Sequence, residues 1–96
     1  MVRQIVWNKR PTKFLNNVLR RINEESVAQA ERIERAIIEA VQSLPKNPEM
    51  HPPDKFKKNN PGTFRAFEKM SLRFAYKITE TEIRILRIRH VRQEPK

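Results

Sequence analysis

The chain contains no cysteine, which rules out a disulfide framework, a thiolate metal site and a cysteine nucleophile. It contains one glycine, Gly62, so a glycine-rich phosphate loop cannot be built, and no His or carboxylate spacing suits a metal. Neither metal nor cofactor is expected. Long apolar runs are also missing. Met1 to Phe14 already carries Arg3, Lys9, Arg10 and Lys13, so neither a signal peptide nor a membrane span can be drawn there. A cytoplasmic protein without membrane contact is the expectation.

Acidic residues are scarce beside basic ones. Across 96 residues, 21 Lys and Arg face 11 Asp and Glu, a formal net charge of +10. Such a potential favours a polyanion or an acidic protein and costs self-repulsion when neither is bound; a solvated basic surface is the plainer alternative. The excess is uneven, with 8 basic and 5 acidic side chains in residues 1–44 against 13 and 6 in residues 45–96. With 38% hydrophobic residues the chain can fill one modest core, and a single domain over 1–96 is expected.

Val2, Ile5 and Trp7, among β-favouring neighbours, predict a strand over about 2–8. Phe14, Leu15, Val18, Leu19 and Ile22 then recur at helical spacing and predict a helix over 11–23. Ser26 heads a capping-box pattern with Gln29 and starts a second helix, whose inner face holds Val27, Ala30, Ile33, Ile37, Val41 and Leu44 and which Pro45 ends. Few residues separate the two helices, so they should pack antiparallel.

Residues 45–62 hold five prolines, Gly62, and Lys55, Lys57 and Lys58, the composition of a stiff irregular connector packed over the domain. Beyond it the period becomes two. Phe64–Glu68, Leu72–Ile78 and Ile83–Val91 predict a three-stranded antiparallel meander, turned at Lys69-Met70 and at Thr79–Glu82. In its middle strand Leu72, Phe74, Tyr76 and Ile78 share one face, and Arg73 and Lys77 the other. In the last strand Leu86 and Ile88 alternate with Arg87 and Arg89, yet Ile83 and Ile85 break the parity, which calls for a bulge near Ile85 or burial on both faces. The expected class is α+β: a strand, an antiparallel helix pair, then the meander.

Arginine dominates what chemistry remains. Arg65, Arg73, Arg84, Arg87, Arg89 and Arg92 lie along or just beyond the meander strands, and side chains on the same face of adjacent strands converge. Such a cluster can grip successive phosphates and stabilise the charge that develops when a 2′-hydroxyl attacks a phosphodiester. It can equally be a solvated sheet face or a dock for acidic side chains. His90, beside several guanidinium groups, suits a general acid or base near neutral pH, or a structural role. Lys55, Lys57 and Lys58 offer point charges to a phosphate backbone, or simply solvation. Tyr76, on the apolar face, reads as a core residue with a tethered hydroxyl.

The element order, Leu44-Pro45 at the end of the helix pair, the basic connector Pro52 to Lys57, the hairpin Phe64–Glu68 to Leu72–Ile78, and the closing segment 85–95 with His90 and Arg92 together resemble the RelE/ParE superfamily of type II toxin–antitoxin toxins. Arg73 with Tyr76, followed by His90 and Arg92, is the most distinctive part. The resemblance runs nearly end to end. It implies a cytoplasmic toxin that arrests growth, a role in plasmid stabilisation, and an acidic antitoxin partner that is disordered alone and folds on the toxin.

Members of that superfamily divide by target. In the ribonuclease branch the resemblance implies metal-independent cleavage of mRNA, on the ribosome or free, to a 2′,3′-cyclic phosphate. Arg65 and Arg73 would hold the phosphate, Arg92 would stabilise the transition state and His90 would move a proton, with Lys55, Lys57, Lys58, Arg87 and Arg89 on the RNA. In the ParE-like branch the chain would poison DNA gyrase by protein contact and cleave nothing. A third reading is a toxin-derived protein that only binds a partner. The endoribonuclease is the leading expectation at this point.

Overall fold

Four strands form one mixed sheet, and two helices cover one of its faces. The computed structural model describes residues 3–93; Val2 of the expected first strand and Glu94 and Pro95 of the closing segment lie outside them. β1 (Gln4–Trp7) leads through Asn8 into α1 (Lys9–Glu25), and Ser26 separates α1 from α2 (Val27–Gln42). β2 (Phe64–Lys69), β3 (Leu72–Ile78) and β4 (Glu82–His90) follow the proline-rich loop, and Val91–Gln93 closes with a 3₁₀ turn. The strand order is β1-β4-β3-β2, with β1 parallel to β4 and the other pairs antiparallel. The expected strand, helix pair and meander are all present; Val27, expected on the inner face of α2, is instead exposed, because the core contacts of that helix begin further along, at Ile33.

The helix pair is sharply turned because Ser26 is extended and caps α2, its Oγ accepting from the Gln29 N–H at 3.1 Å; such caps stabilise by about 1 kcal/mol. Ile37, Val41 and Leu44 then pack on Phe67, Phe74, Tyr76, Ile83, Ile85 and Ile88, with Phe14 and Leu15 of α1 at the margin. Phe67 and Phe74 are cross-strand partners and stack with centroids 4.9 Å apart. In β4, Ala75 pairs with Arg87 and Tyr76 with Ile85, leaving Leu86 as a bulge. That extra residue resolves the broken parity: Ile83 and Ile85 before it, and Ile88 after it, are all buried in the core.

The β2–β3 hairpin turns on Met70 and Ser71, one residue later than expected, with φ of 53° and 63°. Both are left-handed without glycine or asparagine, a cost of about 1–2 kcal/mol each.

The proline-rich loop is fixed to the domain. Pro53 bridges to Arg65, the Ala66 N–H donates to the Pro52 carbonyl at 3.3 Å, and the Asp54 N–H donates to the Phe64 carbonyl at 2.8 Å. The loop therefore covers the edge of β2, which would otherwise offer unpaired backbone groups. The buried Tyr76 hydroxyl donates to the Pro48 carbonyl at 2.7 Å, and His51 stacks on Phe67 at 4.6 Å. Burial pushes the Tyr76 phenol up to about 12, against a smaller downward pull from Arg65, and lowers the His51 imidazole below its ordinary value. Near the loop's end Asn60 Oδ1 accepts from the Gly62 and Phe64 N–H groups, and Gly62 takes φ +102°, a value side chains rarely adopt. Among the described residues no helix is long and apolar enough to cross a membrane.

Candidate anion-binding groove

The helices leave the other sheet face open, and strand register decides which side chains stand on it. Arg73 is opposite Glu68 on β2 and Arg89 on β4; Ala75 is opposite Ala66 and Arg87; Lys77 is opposite Phe64 and Arg84. The loop overhangs one side with Asp54, Phe56 and Lys57. Together these elements bound a groove of about 520 Å³ that reaches from Asn8 to Phe56. Ala75 gives it depth, and Leu86, turned outward by the bulge, adds an apolar wall.

Its electrostatics are set by cations against apolar walls. Arg73 Nη2 lies 2.9 Å from Asp54 Oδ1 and Nη1 lies 3.7 Å from Glu68 Oε2, while the Phe56 ring stands 4.9 Å from the guanidinium carbon. Arg84 is held by Glu82 at 2.7 Å and by Asn8 Oδ1 at 2.8 Å. Lys57 and Lys77 both lie over the Phe64 ring, at 4.5 and 5.4 Å. Arg87 and Arg89 have no ion-pair partner among the described residues. Such a groove can take carboxylate or phosphate groups carried on an apolar frame.

The other expected site residues are elsewhere. Arg65 is opposite Tyr76, hence on the helix-covered side of the sheet. Its Nε donates to the Gly62 carbonyl at 2.9 Å, its Nη1 to the His51 carbonyl at 2.7 Å, and its Nη2 faces Glu49 at 3.7 Å. Arg65 thus clamps the loop. His90 is opposite Leu72, on that same side, with its ring edge-on to Phe14 at 5.3 Å. Arg92 is exposed on the 3₁₀ turn and does not line the groove. Of the three loop lysines, Lys57 lines the groove, whereas Lys55 and Lys58 are exposed outside it.

The single phosphate site expected from Arg65, Arg73, His90 and Arg92 is therefore not assembled, because the sheet itself stands between Arg73 and the pair Arg65 and His90. Sequence reasoning also missed Asp54 and Phe56. The available signal was slight: Asp54 is the chain's one aspartate, set among lysines and prolines.

A family model described as "ParE toxin of type II toxin-antitoxin system, parDE" matches residues 5–95. The fold is similar to a solved structure titled "Chromosomal ParDE TA system from P. aeruginosa", with a TM-score of 0.72 at 16% sequence identity, over 93% of this chain and 96% of that one. At this identity the likeness speaks for the fold. No curated protein matches the chain in sequence.

Proposed function

Because the chain belongs to the ParE toxin family of type II toxin–antitoxin systems, we propose that it inhibits DNA gyrase by protein contact, does not cut RNA, and is silenced by an acidic antitoxin. The observation that carries this reading is the division of the basic residues between two sides of the sheet. A metal-independent ribonuclease needs its phosphate ligands and its proton-transfer group within hydrogen-bond reach of one phosphodiester. Arg65 is occupied by the carbonyls of Glu49, His51 and Gly62 and the carboxylate of Glu49, all in its own loop, and His90 packs on Phe14. Arg73 stands on the far side of the sheet, against Asp54 and Glu68.

The open groove supports contact with protein. Phe56, Phe64 and Leu86 supply apolar walls, and Arg87, Arg89 and Lys57 supply cations that favour acidic side chains. An antitoxin segment with alternating acidic and apolar residues would compete for the same surface.

The test adds purified toxin to gyrase, relaxed plasmid and ATP, and in parallel to an in vitro translation reaction. The reading expects lost supercoiling or gyrase-dependent cleaved DNA, with mRNA intact. Cleavage of mRNA at discrete codons, with gyrase unaffected, would overturn it in favour of the endoribonuclease.

A further inference from the structure

A second cationic surface lies on the other side of the molecule, and we infer that it binds the phosphate backbone of duplex DNA: the outward face of α1. No carboxylate occurs from Arg3 to Asn23, a stretch with six Lys and Arg. Within α1, Lys9, Lys13, Asn16 and Arg20 follow at steps of four, three and four, which places them in one stripe opposite the core-facing Phe14, Leu15 and Val18. All four stripe residues are exposed. At 1.5 Å per residue the stripe is roughly 16 Å long, the axial rise of about five phosphates on one DNA strand. Trp7 stands at its head and, with Lys9, Lys13 and Asn16, bounds a shallow hollow of about 420 Å³.

Two features separate this stripe from a merely solvated face. None of its cations has an ion-pair partner among the described residues, and Arg20 donates to Asn17 Oδ1 at 2.7 Å, a neutral partner that leaves its charge uncompensated. The arrangement also opposes helix stability. Lys9 and Lys13 are like charges one turn apart, and the first turn contains no acid to meet the helix dipole. Cations kept at a cost point to an anionic partner.

The chemistry favours nucleic acid over an acidic protein. Among the described residues the large exposed hydrophobics are Val27, Ile38, Met50, Phe56 and Met70, none of them on α1. A protein interface of useful strength needs apolar anchors at its centre, whereas backbone recognition needs cations and amide donors, which Lys9, Lys13, Asn16 and Arg20 supply. The inference does not depend on gyrase being the target, and its test contains no gyrase.

Fluorescence anisotropy of the full chain with a short labelled DNA duplex of arbitrary sequence, across a salt series, measures it. The expected result is binding that the Lys9→Ala/Lys13→Ala variant weakens by about tenfold or more, with the salt slope lowered by about two. The Lys46→Ala/Lys69→Ala variant removes the same charge at two exposed positions off the stripe and is expected to cost distinctly less. Thermal unfolding is expected to show Lys9→Ala/Lys13→Ala at least as stable as the parent, which separates lost binding from lost fold. Equal weakening by both variants would reduce the effect to net charge and overturn the inference. So would undiminished DNA binding by Lys9→Ala/Lys13→Ala, or a stripe that binds an acidic peptide and not the duplex.

Discussion

Asp54 Oδ1 sits 2.9 Å from Arg73 Nη2, and the two side chains keep 14% and 11% of their accessible surface. The loop thus places a carboxylate on the strand-three arginine, inside the groove, and the same oxygen accepts from the Phe56 N–H at 3.0 Å. Removing Asp54 leaves the Arg73 guanidinium with the longer contact to Glu68, at 3.7 Å, and loses a shielded charged hydrogen bond, at a cost of about 1.5–3 kcal/mol. Asp54→Ala is expected to lower the denaturation midpoint accordingly. A midpoint unchanged within about 0.5 kcal/mol would mean that this contact does not hold the loop.

Tyr76 ties the same loop to the core through its hydroxyl and Pro48. Tyr76→Phe leaves a carbonyl without its donor and should cost about 1–2 kcal/mol, with faster proteolysis in residues 45–53. A pH signature accompanies it. The phenol titrates near 10 when unfolded and near 12 when folded, so the folded state resists ionisation. Its contribution is complete below pH 10 and is lost as pH rises towards 12. The parent should therefore lose stability over that window faster than Tyr76→Phe, and parallel pH curves would contradict the burial argument.

His51 gives the opposite window. Burial lowers its pKa below 6.5, so the unfolded chain takes up a proton first as pH falls. Stability from this group is present above pH 6.5 and is lost below it. His51→Phe keeps a ring on Phe67 and removes the titration. Between neutral pH and pH 5 the parent is expected to lose stability relative to this variant, as measured by thermal unfolding.

Met70 and Ser71 occupy left-handed positions that asparagine and glycine accept at lower cost. Met70→Asn/Ser71→Gly is expected to stabilise the protein by about 1–2 kcal/mol. Met70 is exposed, so little packing is lost, and a destabilised variant would contradict the turn assignment.

Much of the fold was legible because its signals are local. Ser26 with Gln29 announced a cap, the even apolar positions of β3 announced its buried face, and Ile83, Ile85 and Ile88 announced a bulge that the structure places at Leu86. The hairpin turn was less legible, since Met70-Ser71 lacks the residues that usually mark left-handed backbone. The site failed at Arg65 for a reason the sequence did contain. A two-residue hairpin pairs odd positions of β2 with even positions of β3, so Arg65 had to share a face with Tyr76. What the sequence could not give was the path of residues 45–62. Only the folded loop brings Asp54 and Phe56 to Arg73 and closes the groove.

The central claim is that the open-face groove is the surface with which this toxin grips a protein target. The most direct measurement is gyrase supercoiling inhibition by an Arg87→Ala/Arg89→Ala variant whose thermal unfolding matches the parent. The account expects potency to fall by about tenfold or more, with Arg92→Ala close to unchanged. Full potency in the double variant would contradict it.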